Sequence, residues 1–130
     1  MPPLSNATLT RAVTEMKAAL DAQDLSRAAD IFERSDLARH GLIEAEILGA
    51  RAYLALPDRS KCLACLDRLH DLAPENPKGA LFCARTYERL NRIDDALRVL
   101  KTALAASPGQ VALAAEIGRV LQLRGEFAEA

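Results

Sequence analysis

Apolar side chains recur at helical spacing along most of the chain, as at Leu97, Leu100 and Leu104, or at Ile117, Val120 and Leu121. The pattern predicts helices over about 8–22, 25–37, 41–56, 59–72, 78–90, 93–106 and 110–123, with an eighth from 126 onward. Short polar turns separate them at Gln23–Asp24, Pro57–Asp58, Asn91–Arg92 and Arg124–Gly125, with Asp58 and Asn91 placed to cap the helices that follow. A second, longer period overlies the first. A small residue returns every 34 positions at Ala28, Cys62, Ala96 and Ala130, and a large apolar one follows four residues later at Phe32, Leu66 and Leu100. Two helices per period, repeated, predict an all-α stack of helical hairpins.

The register divides the chain into units at 9–42, 43–76, 77–110 and a partial one at 111–130, behind a disordered lead over 1–8. The third unit is the clearest, with Ala84 and Tyr87 on its first helix, Ala96, Leu100 and Ala103 on its second, and Pro108 after it. The second keeps Ala50, Tyr53, Cys62, Leu66 and Pro74, and the fourth carries Gly118, Phe127 and Ala130. The first keeps Ala28 and Phe32 but has His40 where the others place proline. The physical sense of the pattern is close packing. Small residues let helix axes approach to about 8–10 Å, and large ones fill the spaces beside them.

Residues 77–110 resemble the tetratricopeptide repeat in these spacings. The resemblance implies a right-handed α-α superhelix whose first helices line a concave groove. In that family, repeat positions two, five, nine, twelve and thirteen face the groove. Position nine here is Lys17, Arg51, Arg85 and Arg119, all basic. With Lys78 and Arg89 the transferred positions hold six basic residues, against Asp21, Glu44 and Glu88, a balance of 6 − 3 = +3. Leu20, Ile47, Leu54, Leu81 and Leu123 add apolar area. Such a groove would receive an acidic or amphipathic peptide, steered by charge and gripped by the planar guanidinium fork. Local pairs compete for the same groups: Lys17 with Asp21, Arg85 with Glu88, Arg119 with Glu116. The Lys/Asn/Arg clamp for chaperone tails is missing, since only Lys78 matches while Phe82 and Glu116 occupy clamp positions.

Composition narrows the function classes. Seventeen basic and eighteen acidic residues leave a net charge of −1, which disfavours nucleic acid and anionic membranes as partners. No apolar run reaches membrane-spanning length. Met1 to Asn6 lack a basic start and a hydrophobic stretch, so a cytoplasmic location is expected. Arginine outnumbers lysine and alanine is abundant, which hints at a GC-rich bacterial source. Cys62 and Cys65 form a C-x-x-C, with Cys83 on the next helix, but helical context reads them as core fillers rather than a redox or metal pair. His40 and His70 stand near helix ends without metal-ligand spacing, and no phosphate-binding glycine loop occurs, so no catalytic set or cofactor is expected.

The fourth unit stops at Ala130 as its second helix begins. Val111, Leu113, Ile117, Val120, Leu121 and Leu123 then leave an apolar face over 110–123. Continuation past Ala130, or self-association through this face, is expected. The leading functional expectation is a non-catalytic scaffold that holds another protein. The alternative is a repeat module ahead of a catalytic domain, as in bacterial sulfotransferases or glycosyltransferases fused to such repeats.

Overall fold

The computed structural model describes residues 5–129, with side chains to residue 125. Among the described residues there are seven α-helices and no strand. They are α1 (Asn6–Asp21), α2 (Leu25–Arg34), α3 (Ile43–Ala55), α4 (Arg59–Leu72), α5 (Pro77–Arg89), α6 (Ile93–Ala106) and α7 (Val111–Glu129), with a 3₁₀ turn at Leu37–His40. The 34-residue period reappears in the backbone. Helices α3, α5 and α7 begin at 43, 77 and 111, and α2, α4 and α6 at 25, 59 and 93. None is long and apolar enough to cross a membrane among the described residues.

Local chemistry sets the boundaries. Asn76 caps α5 by accepting from the backbone N–H groups of Lys78 and Gly79, and Pro77 supplies a first helical residue that needs no donor. Asp24 and Asp58, one period apart, accept from the N–H groups of Arg27 and Lys61. The third equivalent, Arg92, has no side chain able to accept; its guanidinium reaches forward to Asp95 at 2.7 Å. Asn91, expected as that cap, instead takes the left-handed step before it, at φ 61°. Gln23 makes the matching step at φ 62°.

Three boundaries differ from expectation. Helix α1 starts at Asn6, inside the expected disordered lead, because the Ser5 hydroxyl accepts from the N–H of Thr8 and closes the first turn. Residues 1–4 of that lead lie outside the described residues. Helix α2 stops at Arg34, because Asp36 turns left-handed at φ 49° and diverts the chain into the 3₁₀ turn. Helix α7 runs straight through the expected break at Arg124–Gly125. A lone glycine costs a helix only about 1 kcal/mol, which is too little to end one flanked by good helix formers.

The chain forms two compact units, Met1–Arg68 and Leu69–Ala130. In the first, Ala28, Ala50 and Cys62 are fully buried, and Phe32 meets Tyr53 edge to face at 6.1 Å. The Cys62 thiol donates to the Ala50 carbonyl at 3.4 Å, a direct sign that α4 lies close over α3. Gly49 shows why room is scarce: a Cβ there would sit 3.1 Å from both Cys65 Sγ and the Phe32 ring. Leu66 is also buried. In the second unit Ala84, Tyr87, Ala96, Leu100 and Ala103 are buried, while Pro108 lies exposed in the turn after α6. Gly118 is exposed rather than packed. Phe127 and Ala130 fall outside the described side chains.

Candidate binding surfaces

In the first unit, the facing sides of α1 and α3 leave an open groove of about 490 Å³. Its floor is apolar: Leu9 and Val13, one helical turn apart on α1, face Leu42 and Ile43 at the start of α3. Asn6, Thr10 and Thr14 supply neutral hydrogen-bonding groups, and Lys17 and Glu44 are its charged members. Ile43 is 40% exposed, a large apolar side chain left in water. Lys17 is exposed and makes no ion pair among the described residues, so the expected link to Asp21 is not formed. Arg51 is likewise exposed and unpaired among the described residues. Leu20, counted among groove residues, is buried. Val13 is position five of the first unit and so lies in the expected groove, whereas Leu9 was absent from it, although its i, i+4 spacing with Val13 was the available signal.

The second unit handles its charges differently. Arg119 on α7 reaches α5 and donates to Glu88 through its two terminal guanidinium nitrogens, at 3.1 and 2.5 Å. It also donates through Nε to Glu116 Oε1 at 2.9 Å, with a second, closer contact from Nη2. Arg85 stands 3.8 Å from the other Glu116 oxygen. The hydrogen bonds from Arg119 hold the Glu88 carboxyl below its ordinary value, and those carboxylates push the guanidinium further up. Arg85 and Arg119 are therefore matched by Glu88 and Glu116, and the quartet is neutral. Glu116 was left out of the expected groove balance; including it gives 6 − 4 = +2. Lys78 and Arg89 are exposed and carry no ion pair among the described residues, and Leu81 is half-buried.

Cys62, Cys65 and Cys83 are buried and form no disulfide. Burial pushes the Cys62 thiol up to about 11 and the Cys65 thiol up to about 12, far from the thiolate that redox or metal chemistry requires. Among the described residues no cluster of His, Cys, Asp or Glu is arranged to hold a metal ion. His40 ends the 3₁₀ turn and His70 lies in the last turn of α4.

A buried charge not anticipated from the sequence lies in the first unit. Glu46 on α3 is fully buried, and its Oε2 accepts from Arg68 Nε at 2.8 Å. The other carboxylate oxygen has no hydrogen-bond partner. Arg68 also donates to Cys65 Sγ at 3.4 Å and lies over the Phe32 ring at 5.9 Å. Elsewhere in the register this slot is Ala12, Ala80 and Ala114, so Glu46 was visible in the sequence as a break in the pattern.

The all-α, helical-repeat fold is shared with solved MamA structures. A crystal structure of MamA protein superposes with a TM-score of 0.73 at 14% identity, covering 94% of this chain and 67% of that one. The MamA MSR-1 structure gives 0.68 at 18%, covering 98% and 74%, and a MamA mutant gives 0.65 at 17%, covering 98% and 75%. No protein-family profile matches the sequence, and no curated protein is similar to it.

Proposed function

We propose that this chain is a non-catalytic protein-interaction scaffold of tetratricopeptide type, built from units 9–42, 43–76, 77–110 and a partial unit at 111–130, and working in the cytoplasm. Its ligand is a peptide segment of another protein, amphipathic and carrying acidic side chains. The observation that carries this reading is the α1–α3 groove, which combines an apolar floor with an unpaired Lys17 at its edge. Leu9, Val13, Leu42 and Ile43 would bury an apolar side chain of the ligand, and Lys17 would meet a carboxylate. Burial supplies the affinity at about 25 cal/mol per Å² of apolar surface, and the lysine supplies orientation and salt dependence. Of the other basic residues expected in the groove, Arg51, Lys78 and Arg89 carry no ion pair among the described residues, while Arg119 is engaged and Arg85 is partly so.

The test is titration of an amphipathic acidic peptide library against the wild-type chain, Val13→Asp and Lys17→Ala. Val13→Asp should abolish binding, and Lys17→Ala should weaken it and flatten its dependence on salt. Equal affinities for all three proteins would remove the groove from consideration. If this array precedes a catalytic domain, as in repeat-fused sulfotransferases or glycosyltransferases, the same groove would recruit the partner and the chemistry would lie elsewhere.

A further inference from the structure

The α1–α3 groove has two walls, and they carry opposite charges. Lys17 stands on α1, one helical turn beyond Val13, and Glu44 stands on α3, next to Ile43. Both side chains are exposed, and neither makes an ion pair among the described residues. The other polar groups of the lining, Asn6, Thr10 and Thr14, are neutral. The Thr14 hydroxyl already donates to the Thr10 carbonyl at 2.8 Å, so toward a ligand it can only accept.

Two arguments turn this arrangement into a statement about the ligand. The first is that opposite charges elsewhere in this unit do meet across elements. Lys61 reaches Glu33 at 2.5 Å, and Arg68 reaches Glu46 at 2.8 Å. Lys17 and Glu44 line one groove and do not pair. The second is range. Packed helices have axes about 8–10 Å apart, and the screening length at physiological salt is about 8 Å. Charges on opposite walls therefore act on the ligand group beside each of them rather than as one summed field. Their sum is 1 − 1 = 0. A uniformly acidic ligand would gain at Lys17 and lose at Glu44.

We infer that the groove selects a partner segment of mixed charge, in which an apolar stripe carries a carboxylate on one flank and an ammonium or guanidinium on the other. Charge complementarity chooses this occupant: Lys17 takes the acid, Glu44 takes the base, and the stripe lies on the floor between them. The inference rests on the reading of this groove as a peptide site and adds its specificity. Glu44 is the discriminating residue, because it penalises a second acid while leaving the apolar contact untouched. From Asn6 to Lys17 the groove runs about 17 Å along α1, the length of three turns of a ligand helix.

The test uses three fluorescent synthetic peptides of about 12 residues, long enough to span the groove as a helix. They share one leucine stripe and differ only in their flanks: one acidic and one basic, both acidic, or both basic. Anisotropy titrations with the full 130-residue chain should rank the mixed peptide first, by roughly three-fold or more. Lys17→Glu should move first place to the all-basic peptide, and Glu44→Lys to the all-acidic one. The double variant Lys17→Glu/Glu44→Lys, at unchanged net charge, should restore the mixed peptide. Both positions are exposed and unpaired, so circular dichroism should be unchanged. Ile43→Asp, at a position already 40% exposed, should abolish binding of all three peptides. Suppose that it does so, yet wild type prefers the all-acidic peptide or Glu44→Lys keeps the wild-type order. The mixed-charge inference is then overturned, while the groove stands as a peptide site. Binding that survives Ile43→Asp, or no binding of any peptide at about 1 mM, overturns both.

Discussion

The two units of this chain have the same helical register but settle their charges to different depths. The first buries an ion pair: Glu46 is sealed from solvent, and Arg68, 36% exposed, is its cation. The matching slots of the second unit are Ala80 and Thr102, and Cys65 is matched by Val99. The second unit also holds a largely buried carboxylate, Glu116 at 10% side-chain exposure, but answers it with Arg119, about half exposed, which joins α7 to α5 through Glu88 as well. One backbone plan thus tolerates polar groups in its core or on its surface. The physical price differs, because removing charge from water costs several kcal/mol per ion and is recovered only with good geometry. Glu46 leaves one oxygen unsatisfied, so the first unit's solution is the less complete.

The comparison can be broken most forcefully from the arginine side. Arg68→Ala strands a buried carboxylate and should cost about 3–5 kcal/mol in urea denaturation. Ala80→Glu, which writes the first unit's acid into the second without its arginine, should cost a similar amount, about 3 kcal/mol or more. A loss under about 1 kcal/mol in either variant would mean that the slot is wetter than its burial indicates. The double variant Glu46→Ala/Arg68→Thr copies the second unit's solution into the first. It should recover to within about 1 kcal/mol of wild type or exceed it, because two ions and an unpaired oxygen leave the core together.

Surface pairing gives smaller effects. Arg119→Ala should cost about 0.5–1 kcal/mol after allowance for solvent screening. Glu88 has a folded value below its ordinary 4.5, so its contribution is complete above that value and is lost as pH falls through the lowered one. Wild type should therefore lose stability below about pH 4.5 more steeply than Glu88→Gln. Parallel curves would show that the α5–α7 pairing adds nothing in solution. The smallest change expected is in thiol chemistry. At pH 8 the native thiols should react with an aromatic disulfide reagent far more slowly than a free thiol, because burial raises Cys62 and Cys65 and opening must precede attack. Arg68→Ala should speed Cys65 only through more frequent opening of the destabilised unit, because losing the nearby cation by itself raises that thiol further.

Much of the fold was legible because helical packing repeats itself in one dimension. The 34-residue spacing of Ala28, Cys62 and Ala96 anticipates helix starts that recur at 25, 59 and 93. The caps were only partly readable. Asp58 serves as expected, but Asn91 is displaced one step into a left-handed turn, and Ser5 starts α1 early. Of the expected basic column, Lys17 reaches a groove in the first unit, while Arg119 in the second is captured by its own carboxylates.

What the sequence determined alone is what depends on neighbours three, four and thirty-four residues away: helix, hairpin, and the small residues that let hairpins close. What only the tertiary structure decided is which charges are free. An arginine reads the same in sequence whether it faces water or a carboxylate thirty-one residues distant, as Arg119 faces Glu88. Electrostatic energy depends on separation and burial, and neither is written in residue order.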